Sequence, residues 1–140
     1  MMTPEENAAR FNQAGESGLP GLVGMTVHAI GESGVDAVMP VTPALMAPNG
    51  FLHAASVIAL ADSCCGYGTM ASLPEGATGF TTLELKSNFL GTAREGEVEC
   101  RATPVHRGRT TQIWDAQVRH RESGKTIALF RCTQMILYPR

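Results

Sequence analysis

From Asn49 to Met70 the chain reads N-G-F-L-H-A-A-S-V-I-A-L-A-D-S-C-C-G-Y-G-T-M, and between Phe51 and Leu73 its only formally charged side chain is Asp62. A run built from Ala, Ser, Gly, Cys and mid-sized apolar residues reads as a helix buried on all sides. Pro48, Asn49 and Gly50 supply turn chemistry ahead of it, and no further proline comes until Pro74. The sequence therefore predicts one long element over 49–73 rather than several strands. A membrane span is the rival reading. The central carboxylate, the internal Gly66 and Gly68, and the lack of Lys or Arg between Arg10 and Lys86 argue against it. A carboxylate in such a helix is costly unless it is hydrogen-bonded, paired or neutralised. Asp62 is then either a core residue satisfied by nearby hydroxyls or backbone, or a residue kept for chemistry.

At 140 residues with 44% hydrophobic content, the chain suits a single domain with a full core. The net charge is only -2, yet the charges segregate: residues 1–85 hold one Arg against eight acids, and residues 86–140 hold ten Lys or Arg against five acids. The second half suits an anionic ligand or a solvated sheet face. It lacks the density and aromatic interleaving of a nucleic-acid binder. Cys64, Cys65, Cys100 and Cys132 have no C-x-x-C spacing, and no apolar signal region precedes a small-residue cleavage site, so a reduced, cytoplasmic protein is expected. Within the helix Cys64 and Cys65 read as small core residues. His28, His53, His106 and His120 show no ligand spacing, and no metal is expected.

In chain order, Thr3-Pro-Glu-Glu6 is a capping-box pattern that opens a short polar helix to about Ala14, anchored by Phe11. Residues 15–21 read as a loop. Val23, Met25, Val27 and Ala29 alternate, turn at Glu32-Ser-Gly34, and return as Val35, Ala37, Met39 and Val41, which is a hairpin. Beyond Glu75-Gly-Ala77 the period is two. Thr81, Leu83, Leu85 and Phe89 alternate with Thr82, Glu84, Lys86 and Asn88 in a half-buried antiparallel strand. Strands through Val98–Ala102, Trp114–Val118 and Thr126–Leu137 follow, separated by His106-Arg-Gly-Arg109 and Glu122-Ser-Gly-Lys125 turns. The last strand is apolar on both faces, which places it in the sheet centre or against another subunit. The layout is α+β, with an N-terminal helix and loop over 1–20, the central helix over 49–73 and the main sheet over 78–138.

This order of elements, together with the G-x-x-H-A-A-x-x-x-x-L-A-D-S run, the strand T-T-L-E-L-K-S-N-F-L and the H-R-G-R-T turn, resembles the hotdog-fold acyl-CoA thioesterases of the phenylacetate-degradation type. The likeness spans roughly residues 20–138. It implies a long central helix wrapped by a curved antiparallel sheet of about five to six strands. It also implies hydrolysis of an acyl- or aryl-acyl-CoA to free acid and coenzyme A, with coenzyme A as part of the substrate and no separate cofactor.

The resemblance assigns roles residue by residue. The family's backbone amide that binds the thioester carbonyl falls on Ala54, where relatives carry Gly; any residue but proline supplies that donor. The carboxylate that acts as general base or nucleophile falls on Asp62. The family's Asn six residues before His53 is Ala47 here, leaving Asn49 as the nearest Asn and a turn residue in its own right. Thr82, with Thr81 as rival, matches the hydroxyl that positions water. His53 shapes the helix start, and Lys86, Arg107 and Arg109 resemble residues that meet coenzyme A phosphates. Asp62 and Ala54 lie eight residues, or about 12 Å, apart on one helix. One carbonyl cannot reach both, so a homodimer with shared sites is expected, with further assembly to a homotetramer. A hotdog hydratase or dehydratase and a non-catalytic acyl-CoA sensor stand as alternatives.

Overall fold

A computed structural model describes all residues from Met1 to Arg140. Helix α1, Pro4–Gly15, starts as its sequence predicts: Thr3 accepts from the Glu6 N–H, Glu6 returns a bond to the Thr3 N–H, and Phe11 is buried. The segment read as a loop contains a short second helix, α2, Leu19–Leu22, entered through Pro20. Strands β1, Thr26–Gly31, and β2, Gly34–Pro40, form the expected hairpin. A shift in register at His28 moves Ile30 rather than Ala29 into the core.

The buried helix α3 runs over Ala54–Ala71, shorter than 49–73. Residues Pro43–Leu45 form a 3-10 turn, and the Met46–Leu52 bridge holds the chain extended until His53 caps the helix. Its small residues have a packing reason: a Cβ added at Gly68 would overlap the Trp114 ring, and one at Gly66 would press on Phe80. The thiols divide in the same way, Cys64 against Cys100 on the sheet and Cys65 against Cys132. These contacts, and then burial, push both helix thiols well above the ordinary range, so they are packing residues.

Four long strands complete the sheet: β3, Gly79–Phe89; β4, Glu97–Arg107; β5, Thr111–His120; and β6, Thr126–Leu137. The order is β1-β2-β4-β5-β6-β3, antiparallel throughout, curled around α3. This is the expected α+β hotdog layout, and the doubly apolar β6 is an interior strand. No helix is long and apolar enough to cross a membrane.

Three local readings are corrected. β3 is the sheet's edge, not a half-buried strand, with Leu83 54% and Phe89 44% exposed. Its alternation also breaks, because a bulge between Thr82 and Glu84 inserts Leu83 and reverses the phase. Phe80, Thr82, Leu85, Ser87 and Phe89 therefore face α3, while Thr81, Glu84, Lys86 and Asn88 face outward. Finally, α3 is not covered on every side: Ala54, Ala55, Ile58, Ala59 and Asp62 form a stripe left open or half-open beside β3.

The two sheet edges differ physically. At β1 the Asn12 side chain of α1 takes both backbone groups of Val27, donating to its carbonyl and accepting from its N–H at 2.8 Å each. That edge is closed in the way a neighbouring strand would close it. β3 has no such cover and presents its unpaired backbone beside the open stripe of α3.

Candidate active site

The first turn of a helix offers amide N–H groups without internal partners. In α3 most are claimed. His53 Nδ1 accepts from Ala55 at 2.9 Å, and the His53 carbonyl accepts from Ser56 at 2.9 Å and Val57 at 3.2 Å. The Ala54 N–H remains, at the positive end of the helix dipole, in an exposed position. By accepting at Nδ1, His53 carries its proton on Nε2 and serves as a cap. Ala54 also lines a mainly apolar groove of about 370 Å³, together with Phe51, Leu52, Phe89, Leu90 and Ile127. An amide donor thus opens onto a slot of apolar width, which suits a carbonyl carried on an apolar chain.

Asp62 lies two turns further along the same open stripe. It is half-buried, and its Oδ1 is shielded from solvent with no hydrogen-bond partner. The satisfied-core reading requires nearby hydroxyls or backbone donors on this oxygen, and the chain supplies none. Burial raises the Asp62 carboxyl above the ordinary carboxylate range. This is the direction a general base needs in order to draw a proton from water near neutral pH.

The raised value has a testable sign. Ionisation of Asp62 is penalised only in the folded state. The penalty is absent below the unfolded-state value, where both states are protonated, grows as pH rises above it, and is complete once pH has passed the folded-state value. Asp62→Asn therefore melts at a higher temperature than wild type at neutral pH, and the difference closes on acidification. Paired thermal melts between about pH 4 and about pH 8 check this; equal melting temperatures throughout would show that the carboxylate is compensated.

The remaining candidates separate. Thr82 faces α3 and donates its hydroxyl to Gln134 Oε1 at 2.7 Å, whereas Thr81 faces the opposite side of the sheet. Asn49 is tied into its own turn, its Oδ1 accepting from Phe51 at 3.2 Å. Lys86 lies across from Arg131 on the outer sheet face, away from Asp62 and Ala54 of its own chain. Arg107 folds back: its Nη2 donates to the Glu32 carbonyl at 2.7 Å and its guanidinium lies 5.3 Å from the Trp114 ring centre. Arg109, held through its carbonyl by the Tyr138 hydroxyl, has no acidic partner and stays available.

Two features were not found in the sequence. Arg94 stacks over Phe51 with its guanidinium carbon 4.5 Å from the ring centre, a cation at the rim of the groove. Only the bond from Leu52 to the Ala93 carbonyl, across more than forty residues of sequence, brings it there. Gln112 and Gln134 are fully buried on the inner sheet face. A polar residue at an inward position of an apolar strand was the available signal.

An acidic side chain on a small-residue helix, wrapped by a six-stranded antiparallel sheet with a free helix-start amide on an apolar groove, defines the hotdog thioesterase class. The comparisons agree: the sequence profile of the thioesterase superfamily matches residues 49–127, and the chain belongs to that superfamily. It is 31% identical over 129 residues to the 1,4-dihydroxy-2-naphthoyl-CoA hydrolase of Escherichia coli (strain K12), covering 91% of this chain and 92% of that one. The crystal structure of a thioesterase from Haemophilus influenzae superposes with a TM-score of 0.87 at 30% identity, covering 99% of this chain and 92% of that one. A mutant thioesterase from Pseudomonas aeruginosa gives a TM-score of 0.88 at 27% identity, covering 93% of each chain.

Proposed function

We propose that this protein hydrolyses an acyl-CoA thioester to the free acid and coenzyme A. The Ala54 amide polarises the carbonyl, and Asp62 acts as general base. The observation that carries the reading is the half-buried Asp62 carboxylate, its Oδ1 shielded and without a hydrogen-bond partner, on the same open stripe as the unclaimed Ala54 N–H. In the reaction, water adds to the carbonyl carbon as Asp62 takes its proton. The tetrahedral oxyanion collapses, the C–S bond breaks, and the departing thiolate recovers the proton. Arg109 and Arg94, cations without acidic partners, suit the phosphates of coenzyme A. An aryl-acyl group is the favoured substrate class. The apolar groove and the similarity to a naphthoyl-CoA hydrolase support it, and phenylacetate-type substrates fall within it.

The site is completed by a second copy. Pairing two open β3 edges antiparallel about a two-fold axis keeps the inward faces of the two sheets continuous and brings the end of β3 beside Ala54 of one chain toward the partner's Asp62. The apolar, outward-facing Leu129, Met135 and Leu137 support joining two such dimers into a tetramer.

The test is turnover on aryl, short-chain and long-chain acyl-CoA substrates. Release of free thiol, fastest with an aryl-acyl-CoA, is expected. A change in enoyl absorbance without free thiol would mark a hydratase, and tight binding without product would mark a sensor.

A further inference from the structure

Thr82, inward-facing on the edge strand β3, directs its hydroxyl proton into the sheet toward β6. The acceptor, Gln134 on β6, lies directly across from it and is fully buried. Gln134 is flanked on the other side by Gln112, its register partner on β5. Gln112 is itself anchored, accepting from Trp114 Nε1 at 2.8 Å and donating to the Ser72 carbonyl at 3.2 Å. The second half of the Gln134 amide, Nε2, is buried with no partner. An unpaired donor in the interior makes the fold less stable than an apolar side chain of similar size would. Stability therefore does not account for glutamine here, and the one bond its side chain makes is to Thr82.

Asp62 reaches the same place from the helix. Gly66, one turn further along and on the same helix face, packs on Phe80, a Cβ there lying 3.0 Å from the ring. Cys65 meets Cys132, whose register partner on β3 is Leu85. Phe80, Thr82 and Leu85 are successive inward residues across the bulge. With Gly66 on Phe80 and Ala54 beside Phe89, Asp62 falls over the part of β3 that includes Thr82 and Leu85.

We infer that Gln134 is a positioning residue for hydrolysis, holding the Thr82 hydroxyl as an acceptor toward the attacking water. The inference rests on the thioesterase reading above. A nucleophilic water has two protons and must keep a lone pair aimed at the carbonyl carbon. One proton goes to Asp62 and the other to Thr82 Oγ1, so the lone pair is free. A Thr82 hydroxyl left to rotate would donate to the water and occupy that lone pair. Gln134 exchanges no proton; it sets which way Thr82 bonds.

Gln134→Met, similar in length and without a strong acceptor, is expected to lower kcat about tenfold, the loss of one hydrogen bond made in the transition state. KM for acyl-CoA stays unchanged, and the melting temperature equals or exceeds that of wild type. In a Thr82→Val background the same substitution has no further effect on kcat, because Gln134 acts only through that hydroxyl. Gln134→Asn keeps an amide but withdraws it by one methylene, and gives the same kinetic pattern. Unchanged kcat, an additive loss in the Thr82→Val background, or failure of both Gln134 variants to fold overturns the assignment. These outcomes are distinct from failure of the thioesterase reading, in which wild type itself shows no turnover on any acyl-CoA of the panel.

Discussion

Asp62→Ala is expected to lower kcat on an acyl-CoA by about a thousandfold, within the range that general base catalysis contributes. KM changes little, because the carboxylate meets the water rather than the coenzyme A chain. The variant should also fold and melt no lower than wild type. The substitution removes a shielded oxygen with no hydrogen-bond partner, so no protein bond to that oxygen is lost. Loss of turnover with retained or increased stability is the signature of a residue held for chemistry. Steady-state kinetics and a thermal melt on the same preparation decide it. Turnover within a fewfold of wild type would return Asp62 to a core role.

Ala54→Pro removes the one first-turn amide of α3 that the chain leaves unclaimed, and it should cost about 100-fold or more in kcat, as loss of an oxyanion donor does. Proline is compatible with the first position of a helix, where the backbone N–H has no internal partner, so the fold tolerates it. Because Ala54 and Asp62 stand eight residues apart along α3, about 12 Å, one carbonyl cannot use both from a single chain. Mixing Ala54→Pro with Asp62→Ala subunits is therefore expected to restore activity. The heterodimer contains one site with both groups intact and recovers about half of the wild-type turnover per dimer. Verified heterodimers that remain inactive although both variants fold, or an active monomer, would overturn the shared site.

The parts of this protein that were legible in advance are those whose cause lies within a few residues. The Thr3–Glu6 capping box, the two-residue period of β4 and β5 and the turn near Glu122–Lys125 follow from bonds and side-chain directions set by near neighbours. The turn read over His106–Arg109 starts later, because His106 and Arg107 still pair with Ile113 and Gln112 of β5. The small-residue composition of the 49–73 stretch announced α3 before any partner for it was known. It did not announce where α3 begins, because residues 46–52 have turn chemistry and apolar character at once. The Met46–Leu52 bridge and the bond from Leu52 to the Ala93 carbonyl settle that boundary from a distance.

β3 shows the limit most clearly. Its alternating pattern is real, yet one bulged residue reverses the phase halfway along, and the choice of bulge position belongs to the pairing with β6. That choice brings Thr82 inward onto Gln134 and sends Lys86 to the outer face. Arg107 and Arg109 read alike in the H-R-G-R turn. They part because Arg107 finds a carbonyl and an aromatic ring from distant segments, whereas Arg109 finds no acid.

By itself the sequence determined the class of fold, the central helix, and the identity of its one charged residue, since a lone carboxylate among small apolar residues demands a reason in any structure. Only the tertiary structure decided that no donor meets the shielded oxygen of that carboxylate, that Ala54 rather than a neighbour keeps a free amide, that Asn12 closes one sheet edge while β3 stays open, and that Gln134 holds Thr82. Each of these depends on which groups are already bonded to partners far away in the chain. Periodicity and composition record the preferences of a residue, not whether its hydrogen-bonding capacity has been used.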